Sequence, residues 1–269
     1  MKIAFIGGGN MASALYGGMI ANGTPAQDIL VIDPNESARR RAADAHGVRT
    51  AAAADAALRE MDVVVFAVKP QVFRQVAAQS KDFLAQALVV SIAAGIRLGD
   101  IARWLGDHAR VIRAMPNTPA LIGRGITGLA ASAGVQADDR RHAETVLASV
   151  GEVLWCEDDA QIDAVTAISG SGPAYVFFFI EALQRAAGEL GFDAEQARRL
   201  ALGTFSGAAE LAAQSEESAS VLRQRVTSPG GTTAAGVAAL QAGGVDAQII
   251  ACARAAYARA GELAEQLGQ

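Results

Sequence analysis

Short apolar runs alternate with helix-forming segments over the first half of the chain. The apolar runs lie at 2–6, 29–33, 61–70, 87–95 and 110–119. The segments between them, such as 10–21 and 36–45, have helical spacing. Continuous apolar strands that alternate with helices are typical of a parallel sheet covered on both faces. The pattern therefore predicts an α/β domain at the start of the chain.

Beyond about residue 158 the pattern becomes helical throughout. The sequence there is rich in Ala, Leu, Glu and Arg, with helical spacing at 174–190, 194–214 and 247–267. We therefore predict two domains, residues 1–158 and an all-α helical bundle over residues 159–269. Small residues let helices approach closely, so these Ala-rich faces also favour packing between chains.

A glycine-rich turn follows the first apolar run directly and opens the first helix. Its small residues follow the pattern Gly7-x-Gly9-x-x-Ala12. Gly7 permits a tight turn, Gly9 lets the backbone approach a pyrophosphate, and the small Ala12 lets helix and strand pack closely. The free N–H groups at the helix N-terminus then face the phosphates. This context predicts a Rossmann-type dinucleotide-binding domain over residues 1–158.

The ends of the later strands carry candidate cofactor contacts. Asp33 ends the second strand, where an acid accepts the ribose hydroxyls of NAD and repels a 2′-phosphate. The arginines at 39–41 are interpreted as a solvated helix face. Lys69, in "AVKP", and Asn117, in "MPNTP", follow further strands at the edge where open α/β sheets hold ligands. These residues alone leave both NADH and NADPH open.

Charge and cysteine content exclude several classes of protein. The formal net charge of −5 argues against nucleic acid or an anionic membrane as the main partner. Cys156 and Cys252 lack the spacing of a metal site, so we expect no metal. The N-terminus does not resemble a signal peptide, and no uninterrupted apolar run approaches the roughly 18 residues of a membrane span. We expect a cytoplasmic protein.

The predicted helical domain contains no Lys and no His, but it has two stretches that combine hydroxyls with glycine, "SGSGPAY" and "TSPGGTT". Helix capping explains each stretch singly. In the second, consecutive N–H groups over residues 230–233 suit a small carboxylate at a helix N-terminus. Reduction of a carbonyl group to an alcohol usually needs a proton-transfer residue such as His, Lys or Tyr. Hydride adds readily to a C=N bond whose nitrogen is already protonated, because the product is a neutral amine. Such a reduction needs only one hydrogen-bond donor at nitrogen, which a threonine hydroxyl supplies.

Motifs along the whole chain resemble the pyrroline-5-carboxylate reductase family. They are "FIGGGNMA", "AVKPQ", "VVSIAAGI", "RVIRAMPNTPAL", "IDAVTAISGSGPAYVF" and "VTSPGGTTAAGV". The resemblance implies a Rossmann domain followed by a helical domain through which subunits dimerise, with dimers often assembling into rings. It implies reduction of L-1-pyrroline-5-carboxylate to L-proline, the last step of proline biosynthesis, usually with NADPH.

The resemblance also implies residue roles. The cofactor side comprises Gly7, Gly8, Gly9, Asn10, Met11 and Ala12 at the pyrophosphate, and Ala67, Val68, Lys69, Pro70, Ala93, Ala94, Gly95 and Asn117 around the nicotinamide. The residues implied to bind the substrate carboxylate are Ser228, Gly230, Gly231 and Thr232. Thr233 is implied to face the ring nitrogen as the catalytic donor.

Two positions depart from the family pattern. Asp33-Pro34 stands where many members carry a polar or basic residue that receives the 2′-phosphate. The family's Glu-x-Pro is here part of "SEESAS", with Ala219 in place of proline, and we place Glu216 at the substrate on this basis.

Two alternatives remain at this point. A β-hydroxyacid or 6-phosphogluconate-type dehydrogenase shares the two-domain plan, but its chemistry needs a general base, typically a lysine of the second domain. A non-catalytic dinucleotide-binding regulator has no use for the hydroxyl-rich loops.

Overall fold

The computed structural model describes residues 1–84 and 86–269. Its residues form two compact units, one of residues 1–171 together with 256–269, the other of residues 172–255. The division of the sequence at 158/159 stays a prediction.

The first unit is built on a sheet for which eight strands are described. The strands are β1 Ile3–Ile6, β2 Ile29–Ile32, β3 Arg49–Ala51, β4 Val63–Phe66, β5 Leu88–Ser91, β6 Val111–Met115, β7 Gly125–Ala131 and β8 Gly151–Trp155. Their order in the sheet is β3-β2-β1-β4-β5-β6-β7-β8. Strands β1 to β6 pair in parallel, β7 runs antiparallel to β6, and β8 is parallel to β7. The predicted parallel sheet is confirmed for its first part, and the antiparallel step at β7 was missed.

Helices cover this sheet on both faces, where two separate apolar clusters form the core. The helices of this unit are α1 Asn10–Ala21, α2 Glu36–His46, α3 Pro70–Ser80, α4 Leu98–Trp104, α5 Ala137–Leu147 and α6 Asp159–Val165. The chain leaves β1 towards β2 and β3 on one side and returns to β4 on the other. The carboxyl ends of β1 and β4 therefore flank the switch point at which such sheets bind ligands.

A buried ion cluster ties β6 to α6. Arg113 is 1% exposed. Its guanidinium lies 2.7 Å from the Asp159 carboxylate and 2.6 Å from that of Asp163. Separating β6 from α6 would leave a buried charge without its partner, which is strongly unfavourable. The cluster thus sets where α6 starts on the sheet.

The second unit is helical. It contains α7 Gly172–Glu189, α8 Ala194–Ala213, α9 Ala219–Arg225, α10 Thr232–Ala242 and the first part of α11 Val245–Leu267. The predicted helices at 174–190, 194–214 and 247–267 are confirmed within a few residues. Large apolar side chains on these helices are exposed, among them Phe177 at 65% and Leu211 at 60%. The helical stretch Asp159–Glu189 is long enough, and on average apolar enough, to cross a membrane. Thr166, Ser169 and Ser171 interrupt its apolar residues, so it contains no uninterrupted apolar run of the length of a membrane span.

Candidate functional site

The turn after β1 requires glycine at its first position. Gly7 has φ of 104° and donates its N–H to the Ile32 carbonyl at 2.7 Å. A Cβ atom at Gly7 would lie 2.5 Å from the Ala67 carbonyl oxygen, closer than real contacts allow. The positive φ of Gly7 fits the tight turn that the sequence spacing predicts, and the missing side chain also lets the ends of β1 and β4 approach each other.

The start of α1 is open to a ligand. Gly9 occupies the N-cap position with an extended backbone, and no described side chain caps the helix. Space beyond Gly9 is also open, since no described heavy atom lies within 4 Å of a Cβ built there. The N–H groups of Asn10 and Met11 lack helical acceptors by geometry, and the helix dipole favours an anion beside them. The start of α1 thus fits a pyrophosphate, whereas Ala12 is fully buried and serves packing.

The turn after β2 brings an acid and an arginine together. The Asp33 carboxylate accepts hydrogen bonds from the N–H of Gly8 and of Asn35, both at 2.8 Å. Nη1 of Arg39 donates to the carbonyls of Asp33 at 2.8 Å and Pro34 at 2.9 Å. The arginines at 39–41 were predicted to form a solvated helix face. This prediction is wrong for Arg39, whose side chain folds back over the turn. It holds for the exposed Arg40, which pairs with Glu36 of the same helix.

The loops after β4 and β5 differ in exposure. Ala67 and Val68 are half-buried, and Lys69 is exposed at the N-cap of α3, which begins at Pro70. After β5, the N–H of Ala93 contacts the Ser91 hydroxyl at 3.3 Å, and Ala94 is exposed. Gly95 is buried with φ of 76°, a conformation that favours glycine. Both loops lie at the carboxyl edge of the sheet, as predicted.

Asn117 joins the end of β6 to an irregular helical turn. Its side chain is buried, donating from Nδ2 to the Ser169 carbonyl at 3.1 Å and accepting from the Ile126 N–H at 3.0 Å. Residues Thr166–Gly170 form a π-helical turn between α6 and α7. The "SGSGP" stretch, read as a loop, is thus part of a nearly continuous helix. π-Helical turns occur frequently at functional sites.

The hydroxyl-rich loop of the second unit resembles the start of α1. Gly230 has φ of 74°, and the N–H of Gly231 donates to the Ser228 carbonyl at 3.0 Å. Gly231 is the N-cap of α10, and no described side chain caps this helix. Thr232 and Thr233 form its exposed first turn. The structure thus presents the predicted N–H groups and the Thr233 hydroxyl together.

Of the two adjacent acids ahead of this loop, the second makes a contact. Glu216 is exposed. Glu217 lies 2.5 Å from the guanidinium of Arg225, the last residue of α9. Sequence reasoning missed Glu217, although the Ala219 that replaces the family's proline stands two residues after it. This ion pair therefore links the two ends of α9, the helix that leads into the loop.

Comparison with known families defines the class of this protein. Residues 2–95 match a family model described as NADP oxidoreductase, coenzyme F420-dependent. Residues 159–263 match the model for pyrroline-5-carboxylate reductase dimerisation. A Rossmann-type sheet with an open glycine loop, followed by a helical dimerisation domain, makes the chain an oxidoreductase that uses a nicotinamide dinucleotide.

Comparison with individual proteins narrows the class. The chain is 46% identical to the pyrroline-5-carboxylate reductase of Pseudomonas aeruginosa over 100% of its own length and 98% of that protein. The solved structure of the Coxiella burnetii enzyme superposes with a TM-score of 0.92 at 42% identity, covering 97% of this chain and 98% of that one. The Plasmodium falciparum enzyme, solved with NADP bound, gives 0.87 at 28% identity, covering 98% of each chain.

The chain belongs to the pyrroline-5-carboxylate reductase family. The resemblance seen in its motifs is thereby confirmed, together with the predicted fold class. Membership decides against the hydroxyacid dehydrogenase and the non-catalytic regulator.

Proposed function

We propose that the protein reduces L-1-pyrroline-5-carboxylate to L-proline, the last step of proline biosynthesis, and that NADPH is its preferred reductant. The main support for the proposed substrate is the start of α10, which is exposed and has no side-chain cap among the described residues. Its N–H groups suit a carboxylate, and Thr233 adds a hydroxyl beside them.

The chemistry asks little else of this loop. A bound NADPH would supply a hydride to the imine carbon of a substrate whose ring nitrogen is already protonated, so that the product is a neutral amine. The Ser228 hydroxyl and the backbone from Gly230 to Thr232 hold the carboxylate. The Thr233 hydroxyl donates a hydrogen bond to the ring nitrogen as the C=N bond is lost. Because no alkoxide develops, the absence of Lys and His from residues 159–269 is no obstacle.

The proposed cofactor site is formed by the loops at the carboxyl edge of the sheet. Within residues 7–11, the N–H groups from Gly9 to Met11 would hold the pyrophosphate, since those of Gly7 and Gly8 already donate to Ile32 and Asp33. The loops at 67–70 and 93–95 would line the nicotinamide. We assign Asn117 a supporting part, since both ends of its amide already bind protein groups.

The turn after β2 supports a preference for NADPH. Two N–H groups already bind the Asp33 carboxylate and offset part of its charge. Arg39 brings a permanent cation to the same turn, and one of its nitrogens is committed to carbonyl oxygens. Guanidinium groups bind phosphate well through their remaining donors. Arg39 would thus receive the 2′-phosphate in spite of Asp33.

Arg39→Ala is expected to lower the NADPH-to-NADH ratio of kcat/KM about tenfold, the scale of one charge-assisted hydrogen bond. Asp33→Ser is expected to raise this ratio, because it removes a repulsive charge. Arg40→Ala is the matched control, since Arg40 is exposed and paired with Glu36. Steady-state kinetics with both nucleotides measures the ratio. An unchanged ratio in Arg39→Ala would assign the choice to other residues.

The activity itself is tested by a single assay. Purified protein is expected to oxidise NADPH, and NADH more slowly, only when pyrroline-5-carboxylate is added, with proline as product. Failure of both nucleotides under these conditions would reject the proposed reaction.

We further propose that the C-terminal helices form a homodimer. The model matched by residues 159–263 describes dimerisation. The exposed apolar side chains of α7, α8 and α11 include Phe178 at 63% and Ile250 at 52%. Apolar surface on this scale marks an interface. It also accounts for the apolar stretch Asp159–Glu189 without a membrane. A cytoplasmic location and a larger ring of dimers remain predictions.

A further inference from the structure

The carboxyl end of α11 packs on the unit that carries the sheet. Residues 256–269 belong to the same compact unit as residues 1–171. Ala260 and Ala264 are 7% and 1% exposed there. A helix face with buried alanines lies close to its neighbour, so this end of α11 is docked rather than free.

Two arginines hold the end of the helix. Arg103 Nη2 donates to the Gly268 carbonyl at 2.7 Å, and Arg74 Nη1 donates to the Gln269 carbonyl at 3.0 Å. The guanidinium groups of both arginines lie about 6 Å from the Trp104 ring centroid. Cations at the carboxyl end of a helix also interact favourably with its dipole. The last turn of α11 is therefore fixed against α3 and α4.

The docked turn covers Gly95 in the loop after β5. A Cβ atom at Gly95 would lie 3.1 Å from Cδ1 of Leu267 and 3.6 Å from Cβ of Leu263. Gly95 is buried and has φ of 76°. A glycine loop has many conformations of similar energy, so contacts from outside decide which one it adopts. The Leu267 side chain occupies the space beside Gly95 that a Cβ atom would need, and so lies where it limits the conformation of the loop.

We propose that Leu267 is a positioning residue for the nicotinamide half of the cofactor site. Its side chain holds Gly95, and with it the 93–95 loop, in the conformation that lines the ring. Leu267 itself does not touch the cofactor. The inference rests on the proposed function, in which residues 93–95 line the nicotinamide.

A nucleotide fragment separates this role from a general effect on folding. NADP⁺ contains the nicotinamide, whereas 2′-phospho-ADP-ribose lacks it and otherwise makes the same contacts. Leu267→Ala in the full chain is expected to raise the Kd of NADP⁺ about tenfold, because the nicotinamide loses part of its contact with the displaced loop. The Kd of the fragment is expected to stay within about twofold. Calorimetric titration measures both constants.

Two further variants complete the comparison. Leu267→Met fills nearly the same volume and is expected to restore NADP⁺ binding to near the wild-type value. Leu154→Ala, which truncates an exposed leucine of β8, is expected to change neither constant. Equal weakening of NADP⁺ and the fragment in Leu267→Ala, or no weakening of either, would overturn the inference. A wild-type protein that binds neither nucleotide nor fragment would instead reject the proposed cofactor site.

Discussion

Thr233→Ala is expected to lower kcat for the reduction of pyrroline-5-carboxylate about 100-fold, because the nitrogen lone pair that forms in the reaction is left without its hydrogen-bond donor. The Kd of NADPH is expected to stay nearly constant, because Thr233 lies at the start of α10 and outside the glycine loop. The hydroxyl is exposed in the first turn, so its loss leaves packing intact. Steady-state kinetics and a fluorescence titration with NADPH give the two values.

Two controls bracket this result. Thr233→Ser keeps the hydroxyl and is expected to retain most of the activity. Thr204→Ala removes an exposed threonine of α8 whose Oγ1 donates to the Leu200 carbonyl at 2.8 Å, and is expected to leave kcat unchanged. A wild-type kcat in Thr233→Ala would remove this residue from the mechanism. The N–H groups of the loop would then remain as its contribution.

Gly9→Val is expected to weaken NADPH binding at least about 100-fold, the equivalent of one or two charge-assisted hydrogen bonds. Gly9 has φ of −74° and ψ of −179°, which valine adopts without strain. A Cβ atom at this position meets no described atom within 4 Å beyond its chain neighbours, so the valine side chain is expected to fill the space over the start of α1. The melting temperature is therefore expected to stay near that of the wild type, while the pyrophosphate is displaced.

The matched control for Gly9→Val is Gly99→Val. Gly99 is exposed in the first turn of α4, and a Cβ there also meets no described atom within 4 Å. It is expected to bind NADPH normally. Titration and thermal unfolding of both variants make the comparison. Normal NADPH binding by Gly9→Val would show that the pyrophosphate lies elsewhere.

The parts of the fold that sequence predicts best are those with a strong local pattern. β1, β2, β4, β5 and β6 are continuous apolar runs, and the glycine loop follows β1 directly. β7 was missed because its sequence, "GITGLAA", is short of branched apolar residues and pairs antiparallel to β6. β3 has three residues, none of them buried. Neither strand shows the run that identifies the others.

The parts of the site that sequence misses depend on tertiary contacts. The π-helical turn at Thr166–Gly170 accepts a hydrogen bond at Ser169 from Asn117, which lies 52 residues earlier in the chain. Arg39 is one of three consecutive arginines, and only the path of the chain after β2 shows that it reaches the Asp33 carbonyl. Leu267 lies beside Gly95 although the two residues are far apart in the sequence. The motifs nevertheless located the glycine loop and the loop before α10.

The sparse burial within the second unit has a consequence for the enzyme in dilute solution. Its buried residues, among those described, are Ala187, Ala197 and Ala201, which release little hydrophobic energy. If the proposed homodimer forms, most of the stability of this unit comes from assembly, and folding and association become one equilibrium governed by mass action. Dilution would then unfold the helices that present Thr233 before it melts the sheet, and catalysis would fade with falling protein concentration while nucleotide binding persisted.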